Sequence, residues 1–250
     1  MKLLLPRLWQ WLQDLLFVPK CAVCATRLPP LSPAPLCPLC RTRYEDEKEA
    51  SCPSCGGRMG DCLCPPPDMP RCGVHRVVKL VRYVPASGDA SAQMIYRLKH
   101  KNLITLQRFF ANELALSLSG LMEDKQEWIV TYPPRSAAAK SRDGFDHAAA
   151  LSKELARALG CRYGKTLRRI NGKGQEQKRL SRTARMQAAK ESYGLRKGAA
   201  VVGKRIVLGD DVLTTGATRA SCARLLRKAG AKEVIFAVLA VTPSKKGRNE

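Results

Sequence analysis

Residues 206–218 read Ile206-Val207-Leu208-Gly209-Asp210-Asp211-Val212-Leu213-Thr214-Thr215-Gly216-Ala217-Thr218. The apolar run that enters from the left suits a buried parallel strand. It ends in two adjacent carboxylates, Asp210 and Asp211, at the carboxyl end of the predicted strand. A short loop of small hydroxyl residues follows around Gly216, and then a helix-forming segment, Arg219–Lys228. Backbone N–H groups of Thr214, Thr215, Gly216, Ala217 and Thr218, at a helix N-terminus, form a cradle for one phosphate. The threonine hydroxyls add donors, and Gly216 lets the backbone approach without a Cβ in the way. Two carboxylates at the strand tip can grip the vicinal hydroxyls of a sugar beside that phosphate. A phosphate next to a diol is a ribose 5-phosphate, so the loop reads as a pocket for that group.

Working outward, His75–Val84 is rich in strand formers, and Ala92–Lys99 starts a helix carrying Tyr96, Leu98 and Lys99. Leu103–Leu118 has helical apolar spacing, and Glu127–Tyr132 is a short strand leading into Pro133-Pro134-Arg135-Ser136. Ala148–Leu159 is helical and stops at Gly160, while Lys204–Leu208 and Val234–Val241 are strands flanking the helix after the loop. Alternating strands and helices predict an α/β fold, a mostly parallel sheet flanked by helices. Ligands of such sheets bind at the carboxyl ends of the strands. Both the Asp-Asp loop and Pro133–Ser136 fall there. Between them runs a basic stretch, Lys165–Lys197, with Arg168, Arg169, Lys173, Lys178, Arg179, Arg182, Arg185 and Lys190. It reads either as a solvated helix face plus loop or as a flap of cations closing over a pyrophosphate.

The 250 residues suffice for one medium domain and a small module, and 45% apolar content suffices for a core. With 44 Lys+Arg against 21 Asp+Glu, the formal charge is +23, a field that attracts nucleic acid, anionic lipid or phosphorylated metabolites. Two four-thiolate zinc sites would lower it only to about +19. The longest apolar run, Val234–Val241, is far short of the ~20 residues a bilayer requires. Met1–Phe17 opens like a signal peptide but is broken by Pro6, Arg7, Gln10, Gln13 and Asp14. Its Leu4, Leu8, Trp11, Leu12, Leu15 and Leu16 share one helical face, which suits a short docking helix or weak membrane association.

Nine of the eleven cysteines precede residue 73. Cys21-x-x-Cys24 and Cys37-x-x-Cys40 are separated by twelve residues, a zinc-ribbon spacing in which two knuckles aim four thiolates at one tetrahedral ion. Cys52-x-x-Cys55 followed by Cys62-x-Cys64 makes a second set with a tighter second pair, and Cys72 is a fifth candidate for it. Disulfides compete as an explanation, but no export signal accompanies them. Four thiolates leave no open position on the ion, so zinc here is structural. Prolines 29, 30, 33, 35, 38, 65–67 and 70 fit a loop-built module too small to fold without metal. Cys161 and Cys222 read as small buried hydrophobes.

Residues 206–218 resemble the phosphoribosyl pyrophosphate (PRPP) motif of type I phosphoribosyltransferases, except that Gly209 stands where a bulkier apolar residue is usual. The whole chain resembles the ComF family, a double zinc ribbon fused to a type I phosphoribosyltransferase domain. The likeness takes in Leu15-Leu16-Phe17-x-Pro19-x-Cys21, Tyr83, Ile95–Lys99, Thr131–Ser136 and Arg142-Asp143-Gly144-Phe145-Asp146. It continues through Leu167-Arg168-Arg169 and Gln177-Lys178-x-Leu180-Ser181-x-x-x-Arg185 to the PRPP loop, with Ala188 where Asn is common. The resemblance implies a short amphipathic helix over 1–18, a double zinc ribbon over 19–73, a phosphoribosyltransferase-like domain over 74–243 and a basic tail over 244–250. It also implies a cytoplasmic bacterial protein associated with competence and DNA uptake. In that setting Mg²⁺ bridges the pyrophosphate and ribose hydroxyls of PRPP. Asp210 and Asp211 hold the 2- and 3-hydroxyls, Thr214–Thr218 bind the 5-phosphate, and Arg135 and Ser136 line the pyrophosphate side. An acceptor nitrogen then attacks the anomeric carbon without a protein nucleophile.

Three functions compete. The first is a PRPP-binding transferase-like protein acting in DNA uptake. The second is a non-enzymatic adaptor whose ribbons and basic surface hold single-stranded DNA, against which stands an aromatic content of only 6%. The third is a redox sensor built on the cysteines. Gly209 is expected to loosen the grip on the ribose.

Overall fold

The computed structural model describes residues 19–30, 32–66, 69–85, 87–170, 192–214 and 216–242, with the backbone alone at 143, 217 and 218. The predicted amphipathic helix, the basic tail, Thr215 and residues 171–191 of the basic stretch lie outside the described residues. Among the described residues no helix is long and apolar enough to cross a membrane.

Five parallel strands form the central sheet: β1 (Val77–Arg82), β2 (Trp128–Thr131), β3 (Arg162–Tyr163), β6 (Arg205–Leu213) and β7 (Glu233–Val241). Their spatial order is β1-β7-β6-β2-β3, which puts β6 at the centre. The helices are α1 (Pro38–Glu49), α2 (Ala90–His100), α3 (Ile104–Ser119), α4 (Ala137–Asp143), α5 (His147–Leu159) and α6 (Ala217–Lys228). Side chains alternate across the sheet because the strand period is two. Val207, Ile235, Ala237 and Val130 pack with Leu151, Leu155, Phe110 and Leu114. Ile206, Leu208, Val234, Phe236 and Ile129 pack on the other side with Cys222, Ala223 and Leu226. Apolar side chains on both faces explain why β6 and β7 read as continuous hydrophobic runs.

The sequence places the end of β6 at the two acids; the strand in fact continues through them to Leu213. Its partner β7 holds the register that far, pairing Val212 with Ala240 and Leu213 with Val241. Strand parity then sends neighbouring acids to opposite faces. Asp211 follows Val207 and Gly209 toward α5, and Asp210 follows Ile206 and Leu208 toward α6. Of the basic stretch only the two ends are described. They are strands β4 (Leu167–Arg169) and β5 (Tyr193–Leu195), paired antiparallel. Of the two late cysteines, Cys222 is fully buried as expected, whereas Cys161 is only partly so.

The cysteine-rich segment is welded to the sheet rather than tethered to it. Tyr44 of α1 is fully buried and meets Phe109 and Phe110 of α3 edge-on, with ring centroids 5.5 and 6.3 Å away. Glu113 of α3 accepts Lys48 at 2.6 Å and Arg41 at 3.3 Å. Helix α2 receives no side-chain cap from its own Asp89. Instead the Glu47 carboxylate, from α1, accepts the Ala90 and Ser91 N–H groups at 2.7 and 3.1 Å. A carboxylate there satisfies orphan donors and complements the helix dipole.

Gly209 has a structural role that the sequence reading missed. An added Cβ would lie 2.4 Å from Ser152 Oγ on α5. The missing side chain is what lets α5 approach β6, and with it the residues at the start of α5. Gly209 thereby sets the distance at which α5 faces the acids. Gly209→Ala is expected to destabilise the protein by about 1–3 kcal/mol in urea unfolding, as overpacking does. Ser152→Ala, which removes the clashing hydroxyl, is expected to recover most of that loss in the double variant.

Candidate functional site

Asp210 and Asp211 are buried side by side, 8% and 6% exposed, at the floor of a cleft of about 260 Å³. Its walls come from the segment after β2 (Pro133–Ser136), the start of α5 (His147, Ala148), the roots of the basic stretch (Arg169, Tyr193) and Arg219 of α6. Two adjacent carboxylates out of water repel each other and lose hydration. The fold answers with donors from three helices.

Arg219 donates from Nε to Asp210 Oδ2 at 2.8 Å, and its Nη2 lies 2.7 Å from the same oxygen. Asp210 Oδ1 accepts the Asp211 N–H at 2.9 Å, and Asp211 Oδ1 accepts the Val212 N–H at 2.7 Å. Asp211 Oδ2 lies 3.3 Å from His147 Nε2 and 3.6 Å from Lys99 Nζ. The opposite side of the His147 ring meets Arg135, with Nη1 3.2 Å from Nδ1. Arginine only donates, so Nδ1 accepts and the ring proton sits on Nε2, aimed at Asp211. Arg135, His147 and Asp211 therefore form a directed chain. Burial pushes the Asp210 carboxyl up to about 6, with the neighbouring Asp211 adding to the rise and Arg219 opposing it. Burial works against charge on Asp211 as well, but the His147 hydrogen bond and the Lys99 charge hold that carboxyl below the usual range.

The cleft brings together the acids predicted from the loop and the Arg135 and Ser136 predicted from the segment after β2. Ser136 is partly committed, since its Oγ caps α4 by accepting the Ala139 N–H at 3.2 Å. Thr214 is exposed and Gly216 is buried with φ +69, and neither lines the cleft. An added Cβ on Gly216 would meet Met69 Cε at 2.0 Å and sit at a φ of +69, so a larger residue there is strained and displaces the Met69 side chain. Ala217 and Thr218 begin α6. Among the residues that line the cleft or reach its acids, Lys99, His147, Arg169, Tyr193 and Arg219 are not in the site predicted from sequence. Arg219 directly follows the loop and His147 directly follows Arg142–Asp146, so adjacency to both motifs was the available signal. Tyr193 accepts from Arg169 Nη1 at 2.9 Å and lies under that guanidinium, 5.3 Å from its centre, which ties the two roots of the basic stretch together.

The cysteines form two clusters, Cys21/Cys24/Cys37/Cys40 and Cys52/Cys55/Cys62/Cys64, each with its sulfurs within 4.8 Å of one another. Sulfur pairs such as Cys24–Cys37 at 3.7 Å and Cys55–Cys62 at 3.4 Å are near the ~3.8 Å edge of a tetrahedron with Zn–S bonds of ~2.3 Å. Each set can hold zinc. Cys72 belongs to neither; its Sγ faces Arg224 Nη2 at 3.0 Å. The second cluster has an added partner in Lys79, a β1 residue only 3% exposed. Its ammonium donates to Cys62 O at 3.0 Å, Cys62 Sγ at 3.2 Å and Cys64 O at 3.0 Å.

Residues 142–250 match the family described as phosphoribosyl transferase domain. The DNA utilization protein YhgH of Salmonella typhi is 29% identical over 207 residues, covering 80% of this chain and 87% of that protein. The protein of the same name from Escherichia coli O6:H1 is 28% identical over 208 residues with the same coverage of 80% and 87%. Among solved structures, the allosteric regulatory enzyme of purine biosynthesis aligns at 23% identity and a TM-score of 0.40, over 59% of this chain and 30% of that one. A hypoxanthine phosphoribosyltransferase from Staphylococcus aureus aligns at 15% identity and a TM-score of 0.36, over 55% of this chain and 64% of its own. The mostly parallel sheet of the carboxy-terminal part agrees with that family match over residues 142–250.

Lys79 separates the two cysteine clusters experimentally. Outer partners of ligating thiolates commonly change metal affinity by about 10–100-fold. In competition with a chromophoric chelator, Lys79→Met is expected to release zinc from the Cys52–Cys64 cluster about tenfold more readily while leaving the Cys21–Cys40 cluster unchanged.

Proposed function

We propose that this cleft binds PRPP or a related ribose 5-phosphate ligand within a protein that handles DNA. The observation that carries the reading is the meeting of the Asp210–Asp211 pair with Arg135 and Arg169 in one cleft at the carboxyl end of β6. The acids offer acceptors to the 2- and 3-hydroxyls of the pentose, and we read residues 214–218, which lead into Arg219 of the cleft wall, as the place of the 5-phosphate. Arg135 and Arg169 face the side where a diphosphate carries its charge. We read residues 74–243 as the ligand-binding unit and the two cysteine clusters as structural zinc sites of a module over 19–73.

The reaction such an arrangement supports is displacement at the anomeric carbon. An acceptor nitrogen forms the new bond, the bond to diphosphate breaks, and the diphosphate departs with the electron pair. The protein's part is to orient the sugar and to stabilise charge on the leaving group through its arginines. Magnesium fits the chain's own residues poorly, since every oxygen of Asp210 and Asp211 already faces a donor. No step is assigned to it. The net charge of +23 and the likeness to DNA utilization proteins support a cellular role near nucleic acid.

Millimolar PRPP with Mg²⁺ is expected to raise the melting temperature, at about 2–4 °C per kcal/mol of ligand stabilisation. Asp210→Asn combined with Asp211→Asn is expected to abolish the rise. An unchanged melting curve for the unmodified protein would refute the reading. For nucleic acid, affinity is expected to fall steeply with salt, and binding indifferent to ionic strength would count against a basic-surface contact.

A further inference from the structure

The charge around the two acids is already balanced by the protein. Asp210 and Asp211 carry two negative charges, and Arg219 and Lys99 return two positive ones at 2.7 and 3.6 Å. Arg135 and Arg169 then leave the cleft basic. Arg219 is itself mostly enclosed, with 15% of its side chain exposed, and its second amino group also reaches toward Asp211 Oδ1 at 4.0 Å. Its side chain is anchored on α6, the same helix whose start the loop forms.

A sugar hydroxyl and a divalent cation make different demands on such a site. A hydroxyl needs one lone pair on a carboxylate oxygen, and Asp210 Oδ1 accepts only the Asp211 N–H at 2.9 Å, so it has one to give. A divalent cation needs carboxylate charge that no other cation is using, in a shell of several oxygens. Arg219 uses that charge at Asp210 and Lys99 uses it at Asp211, where His147 Nε2 also lies 3.3 Å from Oδ2. A second, doubly charged ion beside the buried guanidinium would be repelled at close range, with little water to screen it.

We infer that Arg219 is a built-in counter-cation, and that the cleft takes its phosphorylated pentose without a divalent metal on the acid pair. This rests on the PRPP reading above and adds to it the chemical form of the ligand: the free polyanion rather than its magnesium complex. Arg219 is a positioning residue here, holding Asp210 with one oxygen turned toward the sugar and the other spent.

The test uses the zinc-loaded full chain in buffer stripped of divalent ions by a chelating resin, since soluble chelators would attack the cysteine clusters. PRPP is titrated calorimetrically with and without added Mg²⁺. The expected result is that affinity differs by less than about twofold between the two conditions, well under the tenfold that 1.4 kcal/mol represents. In Arg219→Met, which uncovers Asp210, added Mg²⁺ is expected to tighten PRPP by about tenfold or more. Binding by the unmodified protein only when Mg²⁺ is present would overturn the inference and leave the PRPP reading standing. Absence of PRPP binding in both buffers would remove the PRPP reading instead. Mn²⁺ binding followed by electron paramagnetic resonance, without any sugar, then decides on Arg219 alone. The unmodified protein should take up no Mn²⁺ that Asp210→Asn removes, and Arg219→Met should gain such a site. Uptake by the unmodified protein that Asp210→Asn abolishes would contradict the role given to Arg219, whether or not the variant folds.

Discussion

Two carboxylates in sequence on a central buried strand are the constraint from which the rest of this structure follows. Both are largely withdrawn from water, and each raises the cost of ionising the other. Strand parity turns them toward different helices, so their nearest partners come from different elements although Arg219 lies within 4.0 Å of both. Asp210 draws Arg219 from α6, and Asp211 draws His147 from α5 and Lys99 from α2. Gly209 gives α5 the room to reach that position. The cleft is the space these elements leave above the acids.

The same constraint reaches the cysteine-rich module. Lys99 lies in the last turn of α2, and the first turn of that helix is capped by Glu47 from α1. The helix spans about 16 Å at 1.5 Å per residue, so one rigid element joins the module to the acid pair. On the other edge of the sheet, Lys79 of β1 spends its donors on the second cluster. Arg97 of α2 also points at the first, toward the carbonyl oxygens of Cys21 and Val23 at 3.5 and 3.4 Å. The cysteine-rich loops around Cys21 and Cys40 and the sheet that carries the cleft are parts of one packed body, continuous through the core cluster that contains both Tyr44 and Val207.

What could be read from the sequence was whatever is local. The apolar run before Asp210 announced a parallel strand, the spacing of Cys21 to Cys40 announced a metal knuckle pair, and Gly160 announced the end of α5. Continuation of β6 past the acids was hidden, because two adjacent aspartates disfavour a strand by themselves and only pairing with Val238–Val241 carries it on. Partners that arrive from elsewhere in the chain were hidden as well. Nothing about Glu47 marks it as a cap for a helix that starts at Ala90, and Lys79 reads as an ordinary strand lysine until its 3% exposure is seen. Arg219 reads as part of a helix, and so it is, but nothing local marks it as the counter-charge of Asp210.

If the paired acids exist to hold a vicinal diol, then the hydroxyl at the second carbon of the sugar must matter. Titration calorimetry of ribose 5-phosphate against 2-deoxyribose 5-phosphate isolates that one group, because both ligands present the same phosphate. A hydrogen bond to a charged acceptor contributes about 1.5–3 kcal/mol, so the account predicts that the deoxy sugar binds about ten- to a hundredfold more weakly. Equal affinities for the two sugars would contradict it.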